Sequence, residues 1–585
     1  MKRAVPEKSG APRLISIMLI VQSASIIGLF SAHRFPHFVH ILGNDLHTSI
    51  TRTTDSASVI IAVALALIAR GIALKRRRAW QFATVLQALL IFMALFHNLH
   101  RFLSHHHTSH VIFGNFGLTH LIFEFLVLAS LIVKKTIFNT VVNPHTRKSD
   151  FVYFAKVAGL SWLVALVIVF FDREHFVRPL NFMQVIETAT KGLLGVSGPV
   201  PFSMAPTQQR VEDILAGLGL FVAITTLIRA LRPVERIVHL KPEDKAAMRT
   251  LIEKYPSDDS LAYFSLRDDK DVIWAKNRKS AIAYSVVNGV MIASGDPLGD
   301  PECWPLAIEE FIREASRHAW IPAVYGCTEK AGEIWQRETE CDALEIGDEA
   351  IVHVTNFEIE TPQFKSVRQM VNKARKEGYV SQTKRIAELS QQELAKLSAY
   401  AQEWRRGGDE RGFSMALGRF CDVQDPEAIV TWATLDEEYK ALLQFVPWGE
   451  NGLSLDLMRR SRTAVSGVNE LLIAETIDYA RRNNIERLSL NFATFRSIFE
   501  KGERLGAGPV TRLSHKVLIL LSRFVQMESL YRFNSKFQPV WEPRFILFPR
   551  VGYLARIAIA ILRIESFLPN KRYMKSRERA LNATD

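Results

Sequence analysis

Apolar residues fall into six long runs before residue 235 and into short alternating runs after it. The long runs cover 14–30, 57–74, 80–96, 113–133, 152–171 and 214–228. Each is near the roughly 20 residues a helix needs to cross a hydrocarbon core, the third and sixth being the weakest. Only Ala32-His33-Arg34-Phe35-Pro36 follows the first, with no small-residue cleavage site, so it reads as a span rather than a leader. Beyond Pro242 the period changes. Residues 280–287 and 290–294 are apolar runs around Asn288-Gly289, a two-residue hairpin signal. A turn-rich stretch from Gly295 to Pro301, a helix over 304–318 and a strand over 321–325 follow. The order then returns: strands over 441–446 and 453–457 around a Trp448-to-Gly452 turn, a helix over 468–482, a strand over 487–490. Two such units in succession predict a duplicated α+β domain. The expected organisation is a membrane domain over 1–235, repeats over 236–380 and 381–549, and an amphipathic helix with a basic tail over 550–585.

The loops between the apolar runs alternate in charge. Lys2, Arg3, Lys8 and Arg13 precede the first run, and Lys75, Arg76, Arg77 and Arg78 fill the link between the second and third. Lys134, Lys135, Arg147 and Lys148 lie between the fourth and fifth, and Arg229, Arg232 and Arg236 follow the sixth. By the positive-inside rule both ends of the membrane domain are cytoplasmic, so the rest of the chain faces the cytosol.

Composition sharpens the division. The chain of 585 residues is 48% hydrophobic and 23% charged, which excludes a disordered polymer. Its mean hydropathy of +0.06 is too low for a plain polytopic transporter. Through Arg236 there are 24 Lys and Arg against 11 Asp and Glu; chain totals of 73 and 60 leave 49 of each sign beyond it. That balance hides an acidic middle and a basic segment from Arg459 onward, suited to an anionic partner, nucleic acid or lipid, or to a plain solvated surface. Cys303, Cys327, Cys341 and Cys421 form no C-x-x-C pair, so neither a disulfide framework nor a zinc site is expected. His97, His100, His105, His106, His107 and His110 cluster at the outer interface without an acid or cysteine beside them, and read as an interfacial loop more readily than as metal ligands. Glu124 is an intramembrane carboxylate, suited to a functional site or to a hydrogen bond inside the bundle.

Candidate chemistry concentrates in the second half. A helix over 363–377 carries Arg368, Asn372 and Arg375 as one polar stripe. Further on come Glu410-Arg411-Gly412-Phe413-Ser414, then Ser454-Leu455-Asp456-Leu457-Met458-Arg459-Arg460. Asn491-Phe492-Ala493-Thr494-Phe495-Arg496 leads to Arg504, and Lys536-Phe537-Gln538-Pro539 leads to Trp541-Glu542-Pro543-Arg544. Aromatics interleaved with Arg and Lys suit phosphate contacts and base stacking, and equally a core with snorkelling arginines.

The segments GDPLGD, VRQMVNKARKEGY, ERGFSMALGR, LSLDLMRR, NFATFRSIFEKGERLGAGP and SLYRFNSKFQPVWEPR closely resemble the cytosolic domain of the lysylphosphatidylglycerol synthases, the multiple peptide resistance factor family. The resemblance runs from about Tyr263 to Pro549, and the six preceding spans fit the family form without a fused lysyl-tRNA synthetase. It implies a multi-pass α-helical membrane domain followed by a cytosolic α+β tandem acetyltransferase-like (GNAT) domain in the cell membrane. The implied reaction moves an aminoacyl group from aminoacyl-tRNA to the glycerol hydroxyl of phosphatidylglycerol in the inner leaflet, which confers resistance to cationic antimicrobial peptides. Lysine is the family's commonest donor, with alanine or ornithine as alternatives. No cofactor or metal is implied, and homo-oligomerisation is left open. Asp456 and Glu410 are the candidates to take the proton, each equally suited to pairing a neighbouring arginine. Asn491, Asn372 and Asn469 are candidates to orient the ester or the α-amine. Arg368, Arg375, Arg504, Lys536 and Arg544 are assigned to phosphates, and Arg411, Phe413, Arg459, Arg460, Glu470 and Trp541 to the substrate site more generally. Two competing expectations are a membrane-anchored acyl-CoA-dependent N-acyltransferase, against which stands the absence of an R/Q-x-x-G-x-G/A loop, and a lipid flippase with a regulatory module. The run over 551–568 recurs at helical spacing and is expected to pack on the domain rather than lie on the leaflet.

Overall fold

A computed structural model describes residues 10–34, 56–104, 115–138, 144–231, 240–405, 412–494 and 527–568. The chain forms two compact units that divide near residue 235.

The N-terminal unit is helical: α1 (Ala11–Arg34), α2 (Ser56–Ala73), α3 (Arg77–Ser104), α4 (Asn115–Val133), α5 (Pro144–Phe171), α6 (Phe182–Leu193) and α7 (Ala205–Ala230). All six apolar runs are helices. Four helices, α1, α3, α5 and α7, are long and apolar enough to cross a membrane; α2 and α4 hold shorter apolar stretches over 57–73 and 121–133. The third and sixth runs are thus lengthened by flanking residues that continue the helix. The outward side chains, among them Val85, Phe92, Leu160 and Phe171, are apolar and exposed, as a lipid-facing surface requires. This is a membrane protein. Helix α6 was not expected, because polar residues interrupt its apolar face. Asn181 caps it, accepting from the Gln184 amide at 2.8 Å in a capping box. Its C-terminus packs closely on α7, where a Cβ at Gly219 would collide with the Leu193 carbonyl. Arg78 and Arg229, from two of the basic links, both reach Asp150 at 2.6 and 3.3 Å, so these links share one end of the bundle. Glu124 is buried within the bundle.

The second unit is built on one sheet. Its elements are α8 (Pro242–Lys254), β1 (Asp271–Trp274), β2 (Ser280–Val287), β3 (Val290–Ser294), β4 (Leu298–Gly299), α9 (Trp304–Arg317), β5 (Ile321–Cys327), α10 (Glu329–Thr339) and β6 (Asp342–His353). Then follow α11 (Lys365–Lys376), β7 (Val380–Arg385), α12 (Gln391–Arg405), β8 (Ile429–Leu435), β9 (Glu438–Trp448), β10 (Gly452–Arg460), α13 (Val468–Arg482), β11 (Arg487–Thr494), α14 (Met527–Ser535), β12 (Val540–Phe548) and α15 (Leu554–Ile564). Among the described residues the strand order is β1-β2-β3-β5-β12-β6-β11-β10-β9-β8-β7, with β4 beside β2.

This order contains the same motif twice. In each lobe an antiparallel meander ends on a strand (β3 or β10) that pairs in parallel, through a crossover helix, with the next (β5 or β11). The lobes exchange their last strands. β6 follows the first lobe in sequence yet pairs with β11, whereas β12 follows the second and pairs with β5. β6 and β12 pair with each other from Val540↔Ile351 to Phe548↔Asp342, which joins the lobes into one sheet. The result is the tandem acetyltransferase-like domain. Val367, Val371 and Ala374 of α11 belong to the core that holds α13, β9 and β10.

The Asn288-Gly289 turn has both residues at positive φ, as a two-residue hairpin needs. It also anchors α15. Arg556 donates to the Asn288 carbonyl at 3.0 Å and Arg563 to its side chain, while Leu554, Ile557, Ile561 and Ile564 are buried. The helix packs on the domain, as its apolar spacing predicts.

Candidate active site

Parallel strands β10 and β11 pair only from Gly452↔Arg487 to Ser454↔Ser489 and then part. Each also carries an irregularity against its other neighbour just beyond that point. The β10–β9 register shifts between Leu455 and Leu457, and the β11–β6 register between Ser489 and Phe492. Asp456 and Asn491 are the residues within those shifts. Bulges re-aim side chains and end pairing; here they fall at one carboxylate and one amide, just beyond the last parallel pair. Asn491 has φ +66°, a conformation asparagine tolerates better than most residues.

The two side chains are joined through the loop over 412–418. Asp456 Oδ1 accepts the Leu417 N–H at 2.7 Å, and Oδ2 accepts Gln444 Nε2 at 2.6 Å. Asn491 Nδ2 donates to the carbonyls of Leu455 (2.8 Å) and Met415 (3.1 Å). Burial pushes the Asp456 carboxyl up to about 7, although Leu417, Gln444, Arg419 and Arg267 all favour its charged form. A carboxylate poised there can accept a proton near neutrality and return it. Asn491 Oδ1 is buried with no hydrogen-bond partner among the described residues, which leaves an acceptor for a ligand N–H or O–H.

The N-terminus of α13 lies by the same strand ends. Gly467, at φ +105°, is required there, since a Cβ would stand 2.5 Å from the Met370 carbonyl. Glu470 is buried and accepts Lys536 Nζ at 2.7 Å. Two residues before Lys536, Asn534 Nδ2 reaches the Leu490 carbonyl at 3.4 Å, which ties α14 to β11 beside Asn491. Lys536 is 33% exposed, so ammonium protons remain for an anionic group at the rim. Asn469 Oδ1 also has no partner among the described residues. Trp541, on β12, packs against Tyr531 with ring centroids 4.9 Å apart.

The structure thus joins Asp456 and Asn491 through the loop, and Glu470 and Lys536 as an ion pair that α14 ties to β11 next to Asn491. Other expected site residues lie elsewhere. Arg544 is 1% exposed and its guanidinium is engaged by protein partners: it donates to Glu349 Oε2 (2.9 Å), Asp259 Oδ1 (2.6 Å), Ser260 Oγ (2.9 Å) and the Gly326 carbonyl (3.2 Å). Phe413 is a core residue under Lys270, whose Nζ stands 4.7 Å from its ring centroid. Arg368 donates to the carbonyl of Ile359 at 2.8 Å, and Arg459 to that of Ala401 at 2.6 Å. Asn372, Arg375 and Arg460 are exposed. Glu410, Arg411 and Arg504 lie outside the described residues, as do the side chains of the histidine cluster. No group of three or more His, Cys, Asp or Glu among the described residues is placed to hold a metal.

Sequence reasoning missed two buried polar groups. Glu349 accepts from Ser260 and Ser489 as well as Arg544, and the Asn491 N–H donates to Ser489 Oγ at 3.1 Å. The Arg544 ion pairs therefore connect to the backbone of the site. No sequence signal singles out the pair, because β6 also carries Asp342, Glu345 and Asp348, and β12 also carries Glu542. Lys270, fully buried, donates to the Phe264 carbonyl (2.8 Å) and Ser294 Oγ (2.7 Å), and burial brings its ammonium down to about 7. A separate cavity of about 540 Å³ on the first lobe is bordered by Tyr255, Asp259, Asp296, Trp304 and Arg544. Its lining does not include Asp456 or Asn491.

A family model described as phosphatidylglycerol lysyltransferase, C-terminal, matches residues 249–548, just over half the chain. The chain belongs to this family. It is 43% identical over 355 residues to the lysylphosphatidylglycerol biosynthesis bifunctional protein LysX of Mycolicibacterium gilvum, covering 60% of this chain and 32% of that protein. The LysX protein of Nocardia farcinica is 42% identical over 357 residues, covering 61% of this chain and 31% of the relative. The chain thus spans about a third of the length of the curated relatives it matches. Among solved structures, L-PGS from Bacillus licheniformis aligns over 57% of this chain and 98% of its own, at 21% identity and a TM-score of 0.49.

Proposed function

We propose that this protein transfers an aminoacyl group, lysyl in the first instance, from aminoacyl-tRNA to a glycerol hydroxyl of phosphatidylglycerol. The reading rests chiefly on the family match across 249–548, a stretch that contains both Asp456 and Asn491. The membrane helices of the N-terminal unit keep the enzyme where its lipid acceptor is, and the basic links, by the positive-inside rule, favour a cytosolic catalytic unit, on the side where charged tRNA is found.

The chemistry exchanges one ester for another, so it needs positioning, a proton acceptor and a partner for the developing oxyanion rather than a strong driving force. Asp456 removes the proton of the glycerol hydroxyl as its oxygen attacks the aminoacyl carbonyl. The tetrahedral intermediate collapses with release of the tRNA ribose oxygen, which takes the proton back from Asp456. The free Asn491 Oδ1 accepts from the α-ammonium of the aminoacyl group, and Lys536 holds a phosphate of the tRNA end or the lipid. Addition of a lysyl group turns an anionic headgroup cationic, which weakens the attraction of the membrane for cationic peptides.

The test is purified full-length protein with total charged tRNA and phosphatidylglycerol vesicles, the lipid products read by mass spectrometry. A lysyl adduct that requires both the tRNA ester and phosphatidylglycerol supports the reading. An adduct formed from acyl-CoA instead, or no adduct from any charged tRNA, overturns it.

A further inference from the structure

The loop over 412–418 holds Asp456 and Asn491, yet it contains no regular element of its own. Gly412 and Gly418, at φ +94° and +72°, mark its two ends. Its shape is imposed from outside. Arg267 donates to the carbonyls of Gly412 and Ala416, the latter at 3.1 Å, and is itself fixed by Asp269 at 2.8 Å. From the other side, Glu565 Oε2 accepts the Phe413 N–H at 2.9 Å and also bonds the Ser414 backbone.

Glu565 is an odd residue to find there. It is the C-cap of α15, where the helix dipole disfavours an anion, and it is 2% exposed, where a carboxylate is costly. Its Oε1 has no hydrogen-bond partner among the described residues. Its hydrogen bonds go to the backbone of the loop, at Phe413 and Ser414, so that is the interaction its placement serves.

We propose that Glu565 is a positioning residue for the transfer reaction: by clamping the Phe413 and Ser414 amides it fixes the loop whose Leu417 N–H orients and charges Asp456. This rests on the reading of Asp456 as the proton acceptor. The sequence run beyond 550 therefore serves the active site from behind the sheet, 152 residues in sequence from the loop it holds. The charged groups that face Asp456 are Arg419 and Arg267, and those that face Glu565 are Arg267 and Lys270, with Tyr325 nearby.

The test compares full-length Glu565→Gln and Glu565→Ala in the vesicle assay, alongside hydrogen exchange of the amides at 413–417. Gln keeps an acceptor oxygen at the clamp and should retain kcat within about threefold. Ala should lose roughly tenfold or more in kcat with KM for lipid little changed. In Ala the acidic limb of the pH–rate profile should move up, because Asp456 loses the Leu417 N–H that favours its charged form. The amides at 413–417 should exchange faster in Ala while those of the sheet do not. Equal losses in Gln and Ala with an unmoved pH limb, or unchanged exchange at 413–417 in Ala, would overturn the proposal. A wild-type protein inactive toward charged tRNA would count against the functional reading alone, since the exchange measurement still decides whether Glu565 holds the loop.

Discussion

The Asn491 side chain donates to the Leu455 carbonyl at 2.8 Å across the point where β10 and β11 part. A backbone carbonyl freed by strand divergence would otherwise lack a partner, so this contact satisfies it and bridges the two strands beside Asp456. The same nitrogen reaches Met415, so a single amide ties both strands to the loop that orients the carboxylate.

Asn491→Gly and Asn491→Ala separate that tie from the backbone. Both remove the two bridges, but only Ala must adopt φ +66° with a Cβ, at about 1 kcal/mol. Both should lose at least roughly tenfold in kcat, with Ala melting a few degrees below Gly. Wild-type kcat in Asn491→Gly would show that the bridge has no part in the reaction.

Arg544→Leu should behave as a structural lesion. It leaves Glu349 and Asp259 buried without their cation, at about 3–5 kcal/mol, read as a lower midpoint in denaturant. Protein that remains folded should keep the wild-type salt dependence of tRNA binding. Lys536→Ala, which removes a half-buried cation paired with Glu470, should make that dependence shallower. A shallower slope in Arg544→Leu with an unchanged midpoint would restore Arg544 to the phosphate site.

Lys270 should make stability rise with pH. Its folded ammonium is brought down to about 7 by burial, with Arg267 adding to the fall and Asp269, Glu565 and Asp259 working against it, while the unfolded value is 10.5. Between those values the unfolded chain binds a proton that the folded chain does not, so its contribution to stability grows as pH rises through the window. The slope should approach about 1.4 kcal/mol per pH unit and vanish from that window in Lys270→Met. Denaturant midpoints from pH 7 to pH 9 in both proteins check it, and parallel curves would contradict it.

Elements whose period is local were legible in the sequence. The six apolar runs are helices, the Asn288-Gly289 hairpin lies where its turn chemistry puts it, and α15 packs by its apolar spacing. The exchange of β6 and β12 was not legible, because it joins segments about 190 residues apart and leaves no local mark. That miss explains Arg544. Beside Trp541 and Pro543 it reads as a surface cation, and only the placement of β12 between β5 and β6 turns it inward toward Glu349. Asp456 was legible as a polar residue on a strand and Asn491 as one just past a strand end, but their meeting depends on bulges, which carry no sequence signature here. α6 was missed because its apolar face is short and is covered by α7.

The most direct measurement is the initial rate of lipid lysylation by the full-length protein and by Asp456→Asn, with radiolabelled lysyl-tRNA and phosphatidylglycerol vesicles, from pH 5.5 to 8.5. Asn keeps the shape and the Leu417 contact but cannot take the proton. The wild-type rate should rise through a group titrating at about 7. Asp456→Asn should fold with the same midpoint, lose about 10²–10⁴ in kcat and show no such limb. A wild-type rate and pH profile in Asp456→Asn would contradict the account.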